Sequence, residues 1–371
     1  MPLFGRKYYW HTPPLDILGG GEASKPGTIT SPEYIAALLD QIGLPCTPAG
    51  HTSGAQITTY HYNLTALKDH SKAPRAVRAL SAALRTPCTL ITSDRAHIAI
   101  QAARAARELV ALRQTIQHLR PDRTPTTAAL GLDDAGRPVI IDIAKMPHML
   151  IAGATGSGKS VALNTILCSM LYCATPVMTQ LVMIDPKQVE LSIYAGLPHL
   201  ASPIITSAGE AVKTLASVNA AMDKRYKAMA RKRTKSGAEA GYPNMVIVID
   251  ELADLMLTSK KAVEESIIRI AQLGRAAGIH LLVATQKPVV SVITGLIQGN
   301  IPCKLALQTA STSDSVRILG HKGAESLLGR GDAWLKLPDQ VQEIRLQCAY
   351  TGPKDIDAIV NYWKHDAKRR G

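Results

Sequence analysis

Aromatic residues are scarce in this chain, at 4% of 371 residues with a single Phe. Proteins that hold single-stranded nucleic acid rely on stacked aromatic platforms, so that mode of binding is poorly supplied. Close cysteine pairs are lacking too. Cys46, Cys88, Cys168, Cys173, Cys303 and Cys348 are scattered, and the CxxC and HxxxH spacings of a zinc site do not occur among them. They read as free thiols of a reducing compartment, with no zinc expected. No run of 18 apolar residues occurs, and Met1–Trp10 is too short and too polar for a signal segment. A cytoplasmic chain without a membrane span is therefore expected. Gly and Pro, at 27 and 22 residues, stay near ordinary usage, which excludes collagen-like and low-complexity chains.

Acidic charge is in short supply: Lys plus Arg number 42 against 29 Asp plus Glu, for a net charge of +13. That balance favours a polyanionic partner, nucleic acid or acidic lipid, over the alternative of a merely solvated basic surface. With so few aromatic rings, contact with nucleic acid would run through phosphates.

At roughly 150 residues per domain the length predicts two or three domains. Residues 1–30, with Pro13-Pro14 and Gly19-Gly20-Gly21, read as an arm or linker. A small α/β domain is expected over 31–127. It opens with a helix capped by Ser31 and started by Pro32, whose Ile35, Leu38, Leu39 and Ile42 share one face. A strand over Gln56–Asn63, a helix over Ala73–Leu84, short strands at Thr89–Thr92 and Ala96–Ile100, and a long helix over Ala102–Leu119 follow. Beyond Pro121 and Pro125, strands and helices alternate, which predicts a parallel sheet flanked by helices over 128–350. A C-terminal helix and basic tail close the chain at 351–371.

Met149–Ala152 is an apolar run followed at once by Gly153, Ala154, Thr155, Gly156, Ser157, Gly158, Lys159 and Ser160, and then by a helical stretch, Val161–Cys173. This is the strand, loop and helix of a phosphate-binding P-loop. Its glycines let successive N–H groups curl around a phosphate at a helix N-terminus. Lys159 would neutralise β and γ oxygens of ATP, and Ser160 would ligate Mg2+. A second apolar run, Met245–Ile249, ends in Asp250 and Glu251. Asp250 would hold the metal and Glu251 would orient and polarise water. A third, Ile279–Ala284, ends in Thr285 and Gln286, which places Gln286 as a γ-phosphate sensor.

The series of motifs is wider than a generic ATPase requires. It comprises Ala144–His148, Asp185–Leu191, Gly196–Leu200, Asp250–Met256, Gly274–His280, Ala284–Pro288, Val292–Gly295 and Gly323–Gly329, with weaker matches at Pro13–Leu18 and Gln56–Tyr60. In these the chain resembles the motor region of the FtsK/SpoIIIE family of double-stranded DNA translocases. The resemblance implies a RecA-like P-loop NTPase core with a small N-terminal α/β domain. It also implies ATP and Mg2+ as cofactors, duplex DNA as partner, and a homohexameric ring with each nucleotide between neighbours. Arg275 matches the segment that supplies an arginine finger in trans, with Arg317 as runner-up. The family's membrane-spanning region and winged-helix γ domain have no counterpart here, so no membrane anchoring is expected.

Of the pore-facing positions that are basic in the family, matched by Lys287, Gln298, Thr312 and Val316, only Lys287 keeps its charge. Lys304, Arg317, Lys322 and Arg330 lie nearby as substitutes for DNA contact. The run 224–235 holds seven basic residues and no acid, a solvated helix end or a further DNA contact. Two other functions stay open: an ATP-controlled nucleic-acid-binding assembly that does not move, and a motor for plasmid transfer or phage packaging.

Overall fold

The structure, a computed structural model, describes residues 10–19, 30–92, 95–120 and 122–369. Most of the expected arm, residues 1–9 and 20–29, and the last two residues of the tail lie outside the described residues. The chain divides into two compact units. One comprises Met1–Gly20, Ala111–Leu130 and Ile140–Gly371, and the other Gly21–Val110 with Gly131–Val139.

The smaller unit is an antiparallel sheet covered by helices. Its elements are α1 (Pro32–Gln41), β1 (Cys46–Ser53), β2 (Ile57–Leu64), α2 (Ala73–Leu84), β3 (Cys88–Thr92) and β4 (His97–Ala103), with strand order β1-β2-β4-β3. Ser31 caps α1 as the sequence suggests, its Oγ accepting from the Tyr34 N–H at 3.1 Å. Ile35, Leu39 and Leu80 from the helices close on Tyr62, Ile98 and Ile100 from the sheet.

The long helix expected over Ala102–Leu119 does not form; only α3 (Leu112–Ile116) is helical there. Ala102 completes the β4 ladder opposite Thr58 and Cys88. Beyond it, the N–H groups of Arg104 and Glu108 bond to the carbonyls of Gln56 and Ala55 at 2.8 and 2.9 Å, which leaves them unavailable for an i to i−4 ladder. Arg104 and Glu108 still pair at 2.9 Å, so a spacing that reads as helical closes an extended segment instead. Ala111–Leu130, of which 111–127 is assigned on sequence to the small domain, falls in the larger unit. Leu112 N donates to Tyr350 O, and Ala349 N to Leu130 O, within that unit.

After β5 (Thr127–Asp133) and β6 (Pro138–Asp142), whose residues 131–133 and 138–139 count with the smaller unit, the larger unit continues with β7 (His148–Ala152), α4 (Lys159–Cys173), β8 (Thr179–Ile184), α5 (Ala208–Lys232), β9 (Asn244–Ile249), α6 (Leu252–Ala277), β10 (Ile279–Thr285), α7 (Gly295–Asn300), β11 (Cys303–Leu307), α8 (Thr312–Leu319), β12 (Asp332–Lys336), β13 (Ile344–Cys348) and α9 (Pro353–Lys368). The nine-stranded sheet runs β6-β5-β13-β12-β11-β7-β10-β9-β8. Its centre, β11-β7-β10-β9-β8, is parallel, and β12 and β13 extend it antiparallel. The central strands are mostly apolar because helices cover both faces. Leu150, Ile184, Ile249, Leu281 and Val283 meet Leu215, Met222, Leu255 and Ile267 in one buried cluster. Parallel register matters most for function: Thr285 pairs with Ala152, and Val283 and Ile184 with Ile249. The residues following β7, β9, β10 and β8 therefore leave the sheet at one edge. No helix among the described residues is long and apolar enough to cross a membrane.

Candidate nucleotide site

The loop Gly153–Gly158 leaves β7 and enters α4, so the N–H groups at the start of that helix face the strand ends. Gly158, at φ 103°, is held in the left-handed region, and a Cβ there would lie 2.6 Å from Gly331 N. The loop is also clasped from outside: Gly331 N donates to Ser157 O at 2.8 Å, and Ala154 N to Gln308 O at 2.8 Å.

Behind the loop, the ends of two strands, β9 and β10, deliver the polar groups. Lys159 Nζ donates to Asp250 O at 2.6 Å and to Asp250 Oδ1 at 2.9 Å, both side chains being buried. Burial pushes the Asp250 carboxyl upward, and Lys159 opposes that push. Glu251 stands at the N-cap of α6. Its Oε1 accepts from Thr285 Oγ1 at 2.6 Å and Ala253 N at 3.2 Å, and its Oε2 from Gln286 N at 3.0 Å. The Gln286 side chain reaches the loop itself, where its Oε1 accepts from Thr155 Oγ1 at 2.9 Å.

Sequence reasoning missed Glu190 and Thr285 as members of this cluster. Ser160 Oγ donates to Glu190 Oε1 at 2.7 Å, and Glu190 also raises the Asp250 pKa. Glu190 lies inside the Asp185–Leu191 motif, but nothing in its spacing tells which of those polar side chains turns inward.

A magnesium nucleotide fits what is present. The Ser157 hydroxyl is buried without a partner inside the loop. Ser160, Asp250 and Glu190 supply hard oxygen donors only, the set that magnesium takes. Among the described residues no cluster of three or more His, Cys, Asp and Glu could hold a metal unaided, so phosphate and water oxygens would complete the shell.

The profile of the FtsK/SpoIIIE family matches residues 108–242 and 236–290. DNA translocase FtsK of Tropheryma whipplei is 38% identical across 96% of this chain and 51% of its own length. The chain belongs to the FtsK/SpoIIIE family. DNA translocase SftA of Bacillus subtilis is 47% identical across 71% of this chain and 29% of its own length. The chain thus spans about half, or less, of the curated relatives it matches. Among solved structures, the pCW3 conjugation coupling protein TcpA, a monomer form with ATPgS, superposes with a TM-score of 0.63 at 21% identity, over 91% of this chain and 99% of that one. The cytoplasmic domain of the Thermomonospora curvata type VII secretion ATPase EccC gives 0.56 at 26% identity, over 66% of this chain and 32% of that one. The fold is that of a P-loop ATPase.

The other residues singled out for this FtsK/SpoIIIE chain do not all join the cluster. Arg275 is exposed in the last turn of α6, which leads into β10 at the end of the sheet opposite the phosphate loop, so it does not reach the loop of its own chain. Lys287 and Lys322 are exposed and Arg317 is half-buried. Lys304, the second residue of β11, is 7% exposed, and its pKa is lowered by burial and by Lys336. Arg330 is exposed between Gly329 and Gly331, in the segment that clasps the phosphate loop. In the basic run of α5, Arg225 is buried, its Nη1 donating to Ala277 O and Gly278 O. Lys224, Lys227 and Arg231 remain exposed.

Proposed function

We propose that this chain is the motor of an ATP-driven translocase of double-stranded DNA that works as a homohexameric ring. The observation that carries the reading is the meeting of Lys159, Asp250, Glu251 and Gln286 at one sheet edge, around a P-loop, in a chain 38% identical to a DNA translocase over 96% of its length.

Gly153–Ser160 hold the phosphates of ATP. Lys159, released from Asp250, neutralises the β and γ oxygens. Ser160 and Asp250 hold Mg2+, which when bound neutralises developing phosphate charge. Glu251, fixed by Thr285 and Gln286 N, positions and polarises water, and the Gln286 side chain reports the γ-phosphate to the loop that carries Lys287. Arg275 acts on the nucleotide of the neighbouring subunit. Lys287, Arg317 and Lys322 face the duplex. The domain reading follows the same assignment, a small α-like domain before a RecA-like core.

Hydrolysis measured with and without linear duplex, followed by triplex displacement, tests this reading. Stimulation by duplex, displacement, and loss of both in Lys159→Ala are expected, and binding should weaken steeply with salt. A protein unmoved by duplex, or active as Lys159→Ala, refutes it. A second reading, an ATP-controlled assembly that binds without moving, is favoured by exposed Val289, Val290, Leu296 and Val316 in and beside the segments matched to the family's pore. Triplex displacement separates the two.

A further inference from the structure

At the end of the parallel strands opposite the phosphate loop, the larger unit contains a cavity of about 900 Å3. Met146 and Pro147 precede β7 there, Arg275 precedes β10, and Pro302 precedes β11. Four cations line it: Arg120, Arg123, Lys145 and Arg275. Among the described residues none of the four belongs to an ion pair. Three aspartates share the walls, and Asp142 Oδ1 is already taken by Thr126 Oγ1 at 2.6 Å and Ala144 N at 3.0 Å. Four cations thus face three carboxylates, Asp122, Asp142 and Asp339.

Arg123 is built in rather than loose. Its guanidinium lies over the Tyr172 ring, 5.8 Å from the centroid, and its Nη1 reaches Arg120 O at 3.4 Å. Its Nε is buried, and its guanidinium hydrogen-bonds the Cys173 thiol, whose pKa it lowers against the rise from burial. The neighbouring Cys173 thiol, pushed up to about 11 by burial, offers it no negative charge. Cations gathered in a concave wall repel one another, and a multiply charged anion relieves that repulsion. Planar guanidinium groups suit phosphate oxygens best.

We propose that this cavity binds the phosphate chain of a nucleotide and that Arg123, with Arg120 and Lys145, is a binding residue there beside Arg275. The proposal rests on the nucleotide-hydrolysing reading above. The phosphates come either from ATP held in the P-loop of a second copy or from free nucleotide.

The test uses the full chain with duplex present. Lys159→Ala has a dead P-loop and an intact cavity; the pair Arg120→Ala with Arg123→Ala has the reverse. If a second copy presents the phosphates, each protein alone keeps under about a tenth of wild-type turnover. An equimolar mixture recovers activity, because about a quarter of the interfaces then pair a live P-loop with an intact cavity. If the source is free nucleotide, mixing restores nothing. Instead, Lys159→Ala binds a fluorescent ATP analogue, and adding the two arginine substitutions weakens that binding at least about tenfold. Because Arg123 packs on Tyr172, the exposed substitution Lys145→Glu with both arginines intact is run in parallel; it should show the same losses at an unchanged melting temperature. Wild-type turnover in the arginine variant and in Lys145→Glu overturns the proposal. So does an inactive mixture together with no analogue binding by Lys159→Ala. Failure of the underlying reading looks different: wild-type protein that hydrolyses no ATP, or Lys159→Ala at full turnover.

Discussion

Lys159 Nζ sits 2.9 Å from Asp250 Oδ1 and 2.6 Å from the Asp250 carbonyl, so the lysine meant for phosphate rests on the carboxylate meant for metal. Both side chains are nearly inaccessible, at 2% and 5% exposure. Breaking a buried pair strands its partner, typically at about 3–5 kcal/mol. Lys159→Ala should therefore destabilise the nucleotide-free protein at neutral pH by roughly that amount. Burial already raises the Asp250 pKa, and the folded carboxyl without its lysine prefers to be protonated. Stability tied to an acid with a raised folded pKa is present at low pH and lost as pH rises through that pKa. The deficit should accordingly shrink at pH 5 relative to pH 8, and adding Asp250→Asn should recover most of it. Urea unfolding at the two pH values measures this; equal deficits would contradict it.

Glu251 is held by Thr285 and by Gln286 N from the end of β10. Glu251→Gln should keep ATP binding and lower kcat about 10²–10⁴-fold, the usual worth of a positioned base. Thr285→Val removes one bond to a charged oxygen, worth about 1.5–3 kcal/mol, and leaves the carboxylate in place. It should lower kcat by roughly tenfold with KM nearly unchanged. Steady-state hydrolysis of both variants checks the order; a fall in KM-controlled binding instead would make Thr285 a ligand contact.

These contacts separate what the chain's pattern reveals from what only folding brings together. The phosphate loop and the ends of β9 and β10 were legible because each is an apolar run that stops at a polar group, and parallel strands put such ends side by side. Glu190 was not, since its meeting with Ser160 depends on the path of the loop after β8. The exposed edge strand β1 carries Pro48 and Gly50 at a break in its register, so it shows no alternation to read. The expected helix over Ala102–Leu119 misled because the Arg104 and Glu108 pairing satisfies helical spacing while their N–H groups bond elsewhere. Arg120 and Arg123 are some 150 residues from Arg275, and no local pattern announces that they share a cavity.

Arg225 separates structure from charge within the basic run of α5. Its Nη1 donates to Ala277 O at 2.8 Å and Gly278 O at 3.2 Å, and its guanidinium lies 5.1 Å from the Tyr242 ring centroid. It therefore closes the C-terminal end of α6, where carbonyls lack helical partners. Arg225→Ala should cost about 2–4 kcal/mol through the unpaired carbonyls and lost packing, lowering the melting temperature by roughly 5–10 °C. Arg231→Ala, on an exposed position, should change stability by no more than about 0.5 kcal/mol. Thermal unfolding of the two variants decides; equal melting temperatures would return Arg225 to the solvated set.

Three histidines make the fold sensitive to acid. Burial, with His280 as a second cause, lowers the His148 pKa to about 3; burial lowers those of His280 and His199 to about 4. His148 accepts from Leu281 N at 3.1 Å and His280 bonds to Pro147 O at 3.1 Å, so both neutral rings tie the starts of β7 and β10 together. In the unfolded chain each ring takes a proton near pH 6.5. Between that value and the folded pKa the unfolded state binds more protons, so stability falls as pH falls. The contribution is complete above about pH 6.5, declines from there to about pH 4, and for His148 on to about pH 3. Each ring adds up to about 1.4 kcal/mol per pH unit inside its window. Urea midpoints of the wild-type protein should hold between pH 8 and 7 and drop from pH 6.5 to 4.5. His280→Gln, which removes one titrating ring, should flatten that drop by about one proton's worth. Parallel curves for the two proteins would shift the cause of acid unfolding from these rings to the carboxylates.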